Sequence, residues 1–459
     1  MNFFNLFSRQ QRGRKTVPFE ELLPLSVCSR EYLNTVLLWE DIYKGKAPWL
    51  NADGCGLNLA SAISSEIARL VTSEADIKIS GSESADVIER LFSKTFLPRL
   101  RTITEYSCAC GGVMLKPRFD EGQLGIDVIL PDSFIPTKTD CCGRIIGACF
   151  IDRFEKDGKL YIRLEEHTPK DGGYLITNKA FICGDANCKS KSIPLGSVGC
   201  WKRIIPSVFI DNLKNPLFSY FSIPLGNTES LDSPLGISVF ARAVPLIREA
   251  DRQFSRLIWE FEGSELAIDA SEDAFKLDRD GSPVLPEGKE RLFRPNKLDS
   301  VSGDETFKVF SPQIRDESLI NGLNRIIMSV EDLCGIARGT FSDPVSVSKT
   351  ATEIRSMRQR TYVTVKDIQS SLKNAILRLI EAIHDLIIIY GIAPEGKIEA
   401  DICFGDSVLT DDTSDRASDL EEVKAGVMTA AEFRKKWQSS KNQSEALIDR
   451  RSDNQERKG

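Results

Sequence analysis

The chain has 459 residues, of which 41% are hydrophobic and 28% charged, ample for roughly two to four packed regions of an ordinary globular protein. A net charge of −7 excludes tight wrapping of nucleic acid, which needs clustered Lys and Arg, although an acidic wall would let a duplex pass without sticking. No membrane span is expected: the most apolar run, Ala375 to Tyr390, carries Arg378, Glu381, His384 and Asp385 and reads as an amphipathic or buried helix.

Residues 1–27 read as a mobile, mildly basic arm. Its apolar residues precede its basic ones, the reverse of a secretory signal, so a cytoplasmic site of synthesis is expected. Residues 28–110 are mainly helical in pattern. Leu59, Ile63, Ile67 and Leu70 mark one face of a helix over Leu57–Val71. Val87, Ile88, Leu91, Phe92 and Phe96 mark another over Ala85–Tyr106, interrupted at Pro98, and a short strand over Asp76–Ile79 is expected between them. Residues 112–210 change to frequent Gly and Pro and to period-two alternation. Phe154–His167 reads as a hairpin: Asp157-Gly158 suits a type I′ turn, and Leu160, Ile162 and Leu164 form one apolar face. Tyr174–Ile182 is a third strand, in a mixed α/β region that is mostly antiparallel.

A helix is predicted over residues 234–262, where Phe240, Val244, Ile247, Ala250, Phe254, Leu257 and Phe261 recur at steps of three and four. Pro245 should start or kink it. Arg242, Arg248, Arg252 and Arg256 lie on other faces among Glu249, Asp251, Glu260 and Glu262, which favours a solvated or subunit-facing surface over a phosphate grip. Residues 263–311 are polar and turn-rich, a small β or α/β insertion. A helix follows over 316–335, then the breaker GIARGTFSDPVSVSK, in which Gly335, Gly339 and Pro344 oppose helix. The next helix opens on a capping box, Thr350 with Glu353, and meets no Pro or Gly until Gly391. At ~1.5 Å per residue it spans roughly 60 Å, longer than a small domain is wide, which suits a scaffold better than a catalytic pocket. A strand follows over 397–404 (Ile398, Ala400, Ile402, Phe404), then two short helices separated by Gly426, the second with a capping box at Thr429 and Glu432, then a polar, frayed tail over 439–459.

Eight of the twelve cysteines lie between Cys108 and Cys200. Cys108, Cys110, Cys141, Cys142, Cys183 and Cys188 form pairs that would serve a zinc-dependent nucleic-acid enzyme, yet Cys-x-Cys and Cys-Cys are poor matches to a Cys-x₂-Cys knuckle. Reduced thiols acting as small buried hydrophobes account for them more simply. No phosphate-binding loop and no Gly-x-Ser-x-Gly elbow occurs, and two histidines, His167 and His384, leave little room for a His-based triad. Asp278-Arg-Asp280-Gly281 echoes a calcium loop, but Lys289 stands where the bidentate Glu belongs. Neither catalytic residues nor cofactors are expected.

Three strings, in this order, carry a resemblance: SPLGISVFARAVPLIREADRQFSRLIWEFE, then DESLINGLNRIIMSVEDLCGI after a polar insertion, then KTATEIRSMRQRTYVTVKDIQSSL after the breaker. Over most of residues 28–437 the chain resembles the portal proteins of tailed double-stranded-DNA bacteriophages, of the siphophage, capsid-minor-protein type. The cysteine-rich β region departs from that pattern.

The resemblance implies an α+β, portal-like fold with an arm (1–27), a wing (28–233) and a first stem helix (234–262). A clip (263–315), a second stem helix (316–335) and a tunnel loop (336–349) follow. The long helix with a returning wing strand (350–408) and crown helices with a frayed tail (409–459) complete it. It implies a ring, typically of twelve copies, at one capsid vertex of a virion assembled in the bacterial cytoplasm. Double-stranded DNA would pass through the channel without sequence preference. Terminase, scaffold, major capsid protein and a head-completion protein would be partners. Arg338, Thr340, Phe341, Ser342, Asp343, Pro344, Val345, Ser346, Val347, Ser348 and Lys349 would form the tunnel loop, and Arg248, Arg252 and Arg256 would lie on the stem. Between Arg338 and Lys349 the only charge is Asp343, as a loop beside sliding DNA requires, since each firm phosphate contact adds a barrier. Another oligomeric virion protein, such as a tail or baseplate component, shares the scaffold logic without a DNA-sized channel.

Overall fold

A computed structural model describes residues 30–50, 55–183, 190–271, 275–278, 280, 283–285, 292–296, 307–343 and 351–405, with 420, 421, 423, 429 and 433. Expectations for the arm, for the capping box that starts at Thr350, for Pro344–Lys349, for Cys188, and for nearly all of the two C-terminal helices fall on residues or side chains outside those described.

The protein is α+β. Helices α1 (Arg30–Tyr43), α2 (Leu59–Thr72), α3 (Glu83–Leu91) and α4 (Leu100–Cys110) surround the short strand β1 (Ala75–Ser80). The interruption expected at Pro98 is a π turn over Phe92–Phe96 followed by a 3₁₀ turn over Leu97–Arg99. Strand β2 (Gly112–Asp120) pairs with β3 (Gln123–Ile129) and with β10 (Ser219–Ser222). Strands β4 (Phe134–Thr139), β5 (Ile145–Lys156), β6 (Lys159–Lys170), β7 (Gly173–Cys183) and β8 (Ser190–Ile193) follow one another in an antiparallel sheet, with β9 (Ser207–Asp211) also on β7. Asp157 (φ +53°) and Gly158 (φ +72°) make the β5–β6 turn with both central residues left-handed, which is the type I′ requirement. One face of β6 buries Leu160, Ile162 and Leu164 in a small cluster of its own.

Helix α5 (Val244–Gly263) starts ten residues later than the pattern predicts. The backbone of 236–239 is spoken for elsewhere. Val239 N donates to Cys108 O (2.9 Å), Ser238 Oγ to the same carbonyl (3.2 Å), and the Tyr32 hydroxyl to Gly236 O. These contacts fasten an extended strap to the C-terminal end of α4. A Cβ at Gly236 would lie 2.3 Å from Gly111 O, so the strap fits only because both positions lack one. Phe240 therefore packs from the strap rather than from the helix, Pro245 falls in the first turn where its missing N–H costs nothing, and Phe261 of the expected stripe is exposed.

Between α5 and α6 (Asp316–Leu333) the insertion forms a three-stranded sheet, with β11 (Ala267–Ser271) central, β14 (Phe293–Asn296) parallel to it and β15 (Phe307–Phe310) antiparallel. A second, two-stranded pairing joins β12 (Lys276–Leu277) to β13 (Pro283–Val284). Helix α7 (Ala351–Ile389) has 39 residues. From Val365 onward it is the spine of the main core. Val365, Ile368, Leu372, Ile376, Leu379 and Ile383 are buried, while Arg378 and Glu381 face outward. Side-chain hydrogen bonds stitch it to its neighbours: Ser219 Oγ to Ala375 O (2.7 Å), Ser371 Oγ to Ser222 O (2.6 Å) and Gln369 Nε2 to Val71 O (3.2 Å). It ends at Gly391 (φ +60°), with Ile392 N on Ile387 O and Gly391 N on Ile388 O, a Schellman termination. Strand β16 (Glu399–Phe404) then pairs antiparallel with β1, setting Ile402 opposite Ile77 in the core.

Candidate functional site

Helices α5 and α6 run antiparallel as a stalk with the small sheet at its far end. Glu260, buried near the end of α5, accepts from Arg315 at three points: the backbone N (3.2 Å), Nε (3.0 Å) and Nη2 (2.8 Å). Hydrogen bonding from Arg315 holds the Glu260 carboxyl below its usual range. Farther down, Gln253 Nε2 donates to Leu319 O, and Ile247, Ala250, Leu323 and Val330 fill the seam. On the stalk and its small sheet, large apolar residues stand exposed among polar ones: Trp259 is 66% exposed, Leu266 52% and Val309 63%, with Phe310, Ile314 and Ile320 also exposed. Of the stem arginines, Arg252 lies exposed and pairs with Glu249 (2.8 Å), Arg256 is exposed, and Arg248 is half-buried.

Helix α6 ends at Leu333, with Cys334 as its C-cap. Ile336 N bonds to Glu331 O (2.9 Å) and Gly335 N to Asp332 O (3.3 Å), with Gly335 at φ +71° and Ile336 buried, again a Schellman termination. The segment that follows is not a slack connector. The Glu331 carboxylate is fully buried and accepts from Gly339 N (3.1 Å), Phe341 N (2.6 Å), Ser342 N (3.0 Å) and Ser342 Oγ (2.7 Å). Asn324 brackets Asp343, accepting from its N (2.8 Å) and donating to its O (3.3 Å). From the α7 side, Thr361 Oγ1 accepts from Ala337 N (2.8 Å) and Thr364 Oγ1 donates to Gly335 O (3.0 Å).

Asp332 takes both Arg338 (2.6 Å) and Arg360 of α7 (2.6 Å). Hydrogen bonding from Arg338 outweighs burial and holds the Asp332 carboxyl below its usual range, with Arg360 adding to it. Of the expected loop residues, Ser342 is thus buried and committed to Glu331, Phe341 packs toward the core, and Arg338 is committed to Asp332. Thr340 and Asp343 remain exposed. Glu331 and Asp332 were not anticipated. Their signal was present, because two carboxylates in the last turn of a helix oppose its dipole and need donors from outside it.

A second feature is a cleft of about 1580 Å³ between the face of β5–β7, the β2–β3 hairpin and the end of α7. On its floor Glu165 Oε1 meets Lys116 Nζ (2.7 Å) and His167 Nε2 (2.8 Å), and Oε2 meets Arg163 Nη1 (2.8 Å). Burial raises the Glu165 carboxyl, but Lys116, His167 and Arg163 outweigh it and hold it well below the usual range. Burial keeps the His167 imidazole below its ordinary value despite Glu165. Each carboxylate oxygen is engaged, so the network ties strands together, while Arg163 Nε and His167 Nδ1 are buried without a hydrogen-bond partner among the described residues.

The cysteines divide by environment. Cys108 and Cys110 are buried in the main core, where burial pushes the Cys110 thiol up to about 12 and the Cys108 thiol higher still. Cys141 and Cys142 are exposed at the β4–β5 turn, and Cys183 ends β7. Among the described residues no three His, Cys, Asp or Glu side chains gather to hold a metal ion, and no helix is long and apolar enough to cross a membrane.

No family model matches the chain, and no curated protein matches it in sequence. Among solved structures it is similar to a chain of the neck of a native gene transfer agent particle, computed with C12 symmetry. The identity is 11%, the match covers 87% of this chain and 92% of that one, and the TM-score is 0.41. It is also similar to a chain of the virion of a native gene transfer agent particle, at 13% identity, the same two coverages and a TM-score of 0.43. These are similarities of chain course.

Proposed function

We propose that the chain is a non-enzymatic, ring-forming portal subunit, a conduit for double-stranded DNA at a capsid vertex and a docking point for packaging and head-completion proteins. The observation that carries this reading is the stalk. Two clamped antiparallel helices hold a small sheet away from the main core, and their outer sides present large apolar residues that this chain leaves uncovered. Apolar patches of that kind mark interfaces. When copies of one chain cover each other with two different faces, a rotation that closes gives a ring. Stem helices, clip and tunnel loop then fall to α5, the β11–β15 insertion, α6 and the segment after it, in the order the resemblance implies. A loop whose only charge between Arg338 and Lys349 is Asp343 fits a wall past which a duplex slides, and ATP hydrolysis falls to a terminase partner.

Negative-stain images of the purified full-length protein test the reading. Rings with a central hole are expected, and compact single particles without one overturn it. Within a packaging system, Asp343→Lys should slow or stall DNA entry by adding phosphate attraction. Unchanged packaging would remove the loop from the channel.

A further inference from the structure

The turn joining β4 to β5 carries thiol chemistry that the DNA-conduit reading does not use. Asp140, Cys141, Cys142 and Gly143 form a β-turn closed by Gly143 N on Asp140 O (3.1 Å). Asp140 Oδ1 accepts from Cys142 N (2.8 Å) and Arg144 N (2.9 Å), and Arg144 Nε holds Asp140 Oδ2 (2.5 Å). Asp at the first position and Gly at the fourth are what such a turn favours, so the backbone is preset. Both thiols face solvent with their sulfurs 4.0 Å apart. The arrangement differs from Cys108, Cys110, Cys149 and Cys334, all buried with burial pushing their thiols up.

Two chemistries are open to neighbouring thiols, and geometry chooses between them. Disulfides prefer Cα atoms roughly 4.4–6.8 Å apart, whereas adjacent residues are fixed at about 3.8 Å, so direct oxidation is disfavoured. A metal bridge is not. With metal–sulfur bonds of about 2.3 Å, two sulfurs sit roughly 3.8 Å apart on a tetrahedral ion and about 4.6 Å apart on a linear one. The observed 4.0 Å lies inside that interval. A structural zinc needs four ligands, and no third ligand gathers here among the described residues. Soft, low-coordinate ions accept two thiolates.

We infer that Cys141 and Cys142 form a two-thiolate site for a soft monovalent cation of the Cu(I) class. Each thiol gives up its proton to solvent and each sulfur donates a pair to the metal. No electron is transferred, and the site carries one net negative charge beside Arg144.

The test uses the reduced full-length protein without oxygen, titrated with Cu(I) against a chromophoric bidentate Cu(I) chelator. The wild type should withdraw about one ion per chain more than the Cys141→Ser/Cys142→Ser variant, and either single substitution should lose that ion. Cys55→Ser and Cys200→Ser, at two other exposed cysteines, should retain it. Equal withdrawal by wild type and double variant overturns the site, and full retention by either single variant overturns two-thiolate coordination. The turn buries neither side chain, so thermal unfolding of the variants should match the wild type, and a large shift would show that the thiols are structural instead.

Discussion

At the residue scale, Glu331 explains most about the segment after α6. A fully buried carboxylate is costly unless it is fully hydrogen-bonded, and here three backbone N–H groups and one hydroxyl converge on it. Glu331→Gln keeps the shape but turns an NH₂ group toward donors. It should destabilise the protein by about 3 kcal/mol, measured by denaturant unfolding, and hydrogen exchange at Gly339, Phe341 and Ser342 should quicken. Unchanged protection there would mean that the carboxylate does not organise the segment.

His167 makes a second residue-scale prediction. Its ordinary value is 6.5 and burial lowers it in the folded chain, so the unfolded chain takes up the proton first on acidification. Stability should therefore fall as pH drops below 6.5, at up to about 1.4 kcal/mol per pH unit until the folded imidazole also protonates. In His167→Phe that slope should flatten, and an unaltered slope in unfolding titrations would assign the acid sensitivity elsewhere.

At the element scale, α7 does two jobs that its sequence merges into one uninterrupted pattern. Thr361 and Thr364 receive the post-α6 segment, while the later turns of α7 are the spine of the core. Ile368 sits in the buried part, so Ile368→Pro should cost ~3 kcal/mol or more by removing a helix bond in a packed region. Loss of any assembly would follow, and well-formed rings from that variant would show that an unbroken α7 is not required. The stalk offers a milder prediction. Glu260 is held below its ordinary value of 4.5 by Arg315, so its contribution is present above that value and disappears as pH falls through the lower folded value. Glu260→Gln should leave the neutral-pH fold intact and loosen the far end of the stalk, read as faster proteolysis between residues 263 and 315.

At the scale of the whole molecule, a main core built from α1–α4, β2, β10, β16 and α7 supports a stalk whose outer faces are unfinished. Trp259→Glu with Val309→Glu should leave unfolding of the isolated chain within about 0.5 kcal/mol, because both side chains are solvent-exposed. It should also abolish higher assembly in size measurements. Persistent assembly would place the interface elsewhere.

Local chemistry was legible in the sequence. The I′ turn at Asp157-Gly158, the stop at Gly391, the long uninterrupted α7 and the alternating β16 follow from backbone preferences and side-chain period, which act over a few neighbouring residues. What the tertiary structure alone decided involves partners far apart in the chain. The 236–239 strap forgoes helix because the end of α4 and Tyr32 claim its backbone. Glu331 gathers the segment read from its glycines and proline only as a helix breaker, because that segment folds back over α6. Cys108 and Cys141 differ in kind only because one is enclosed by the core and the other stands on a turn. Burial and long-range hydrogen bonding assign those roles, and neither is encoded within the span of a local motif.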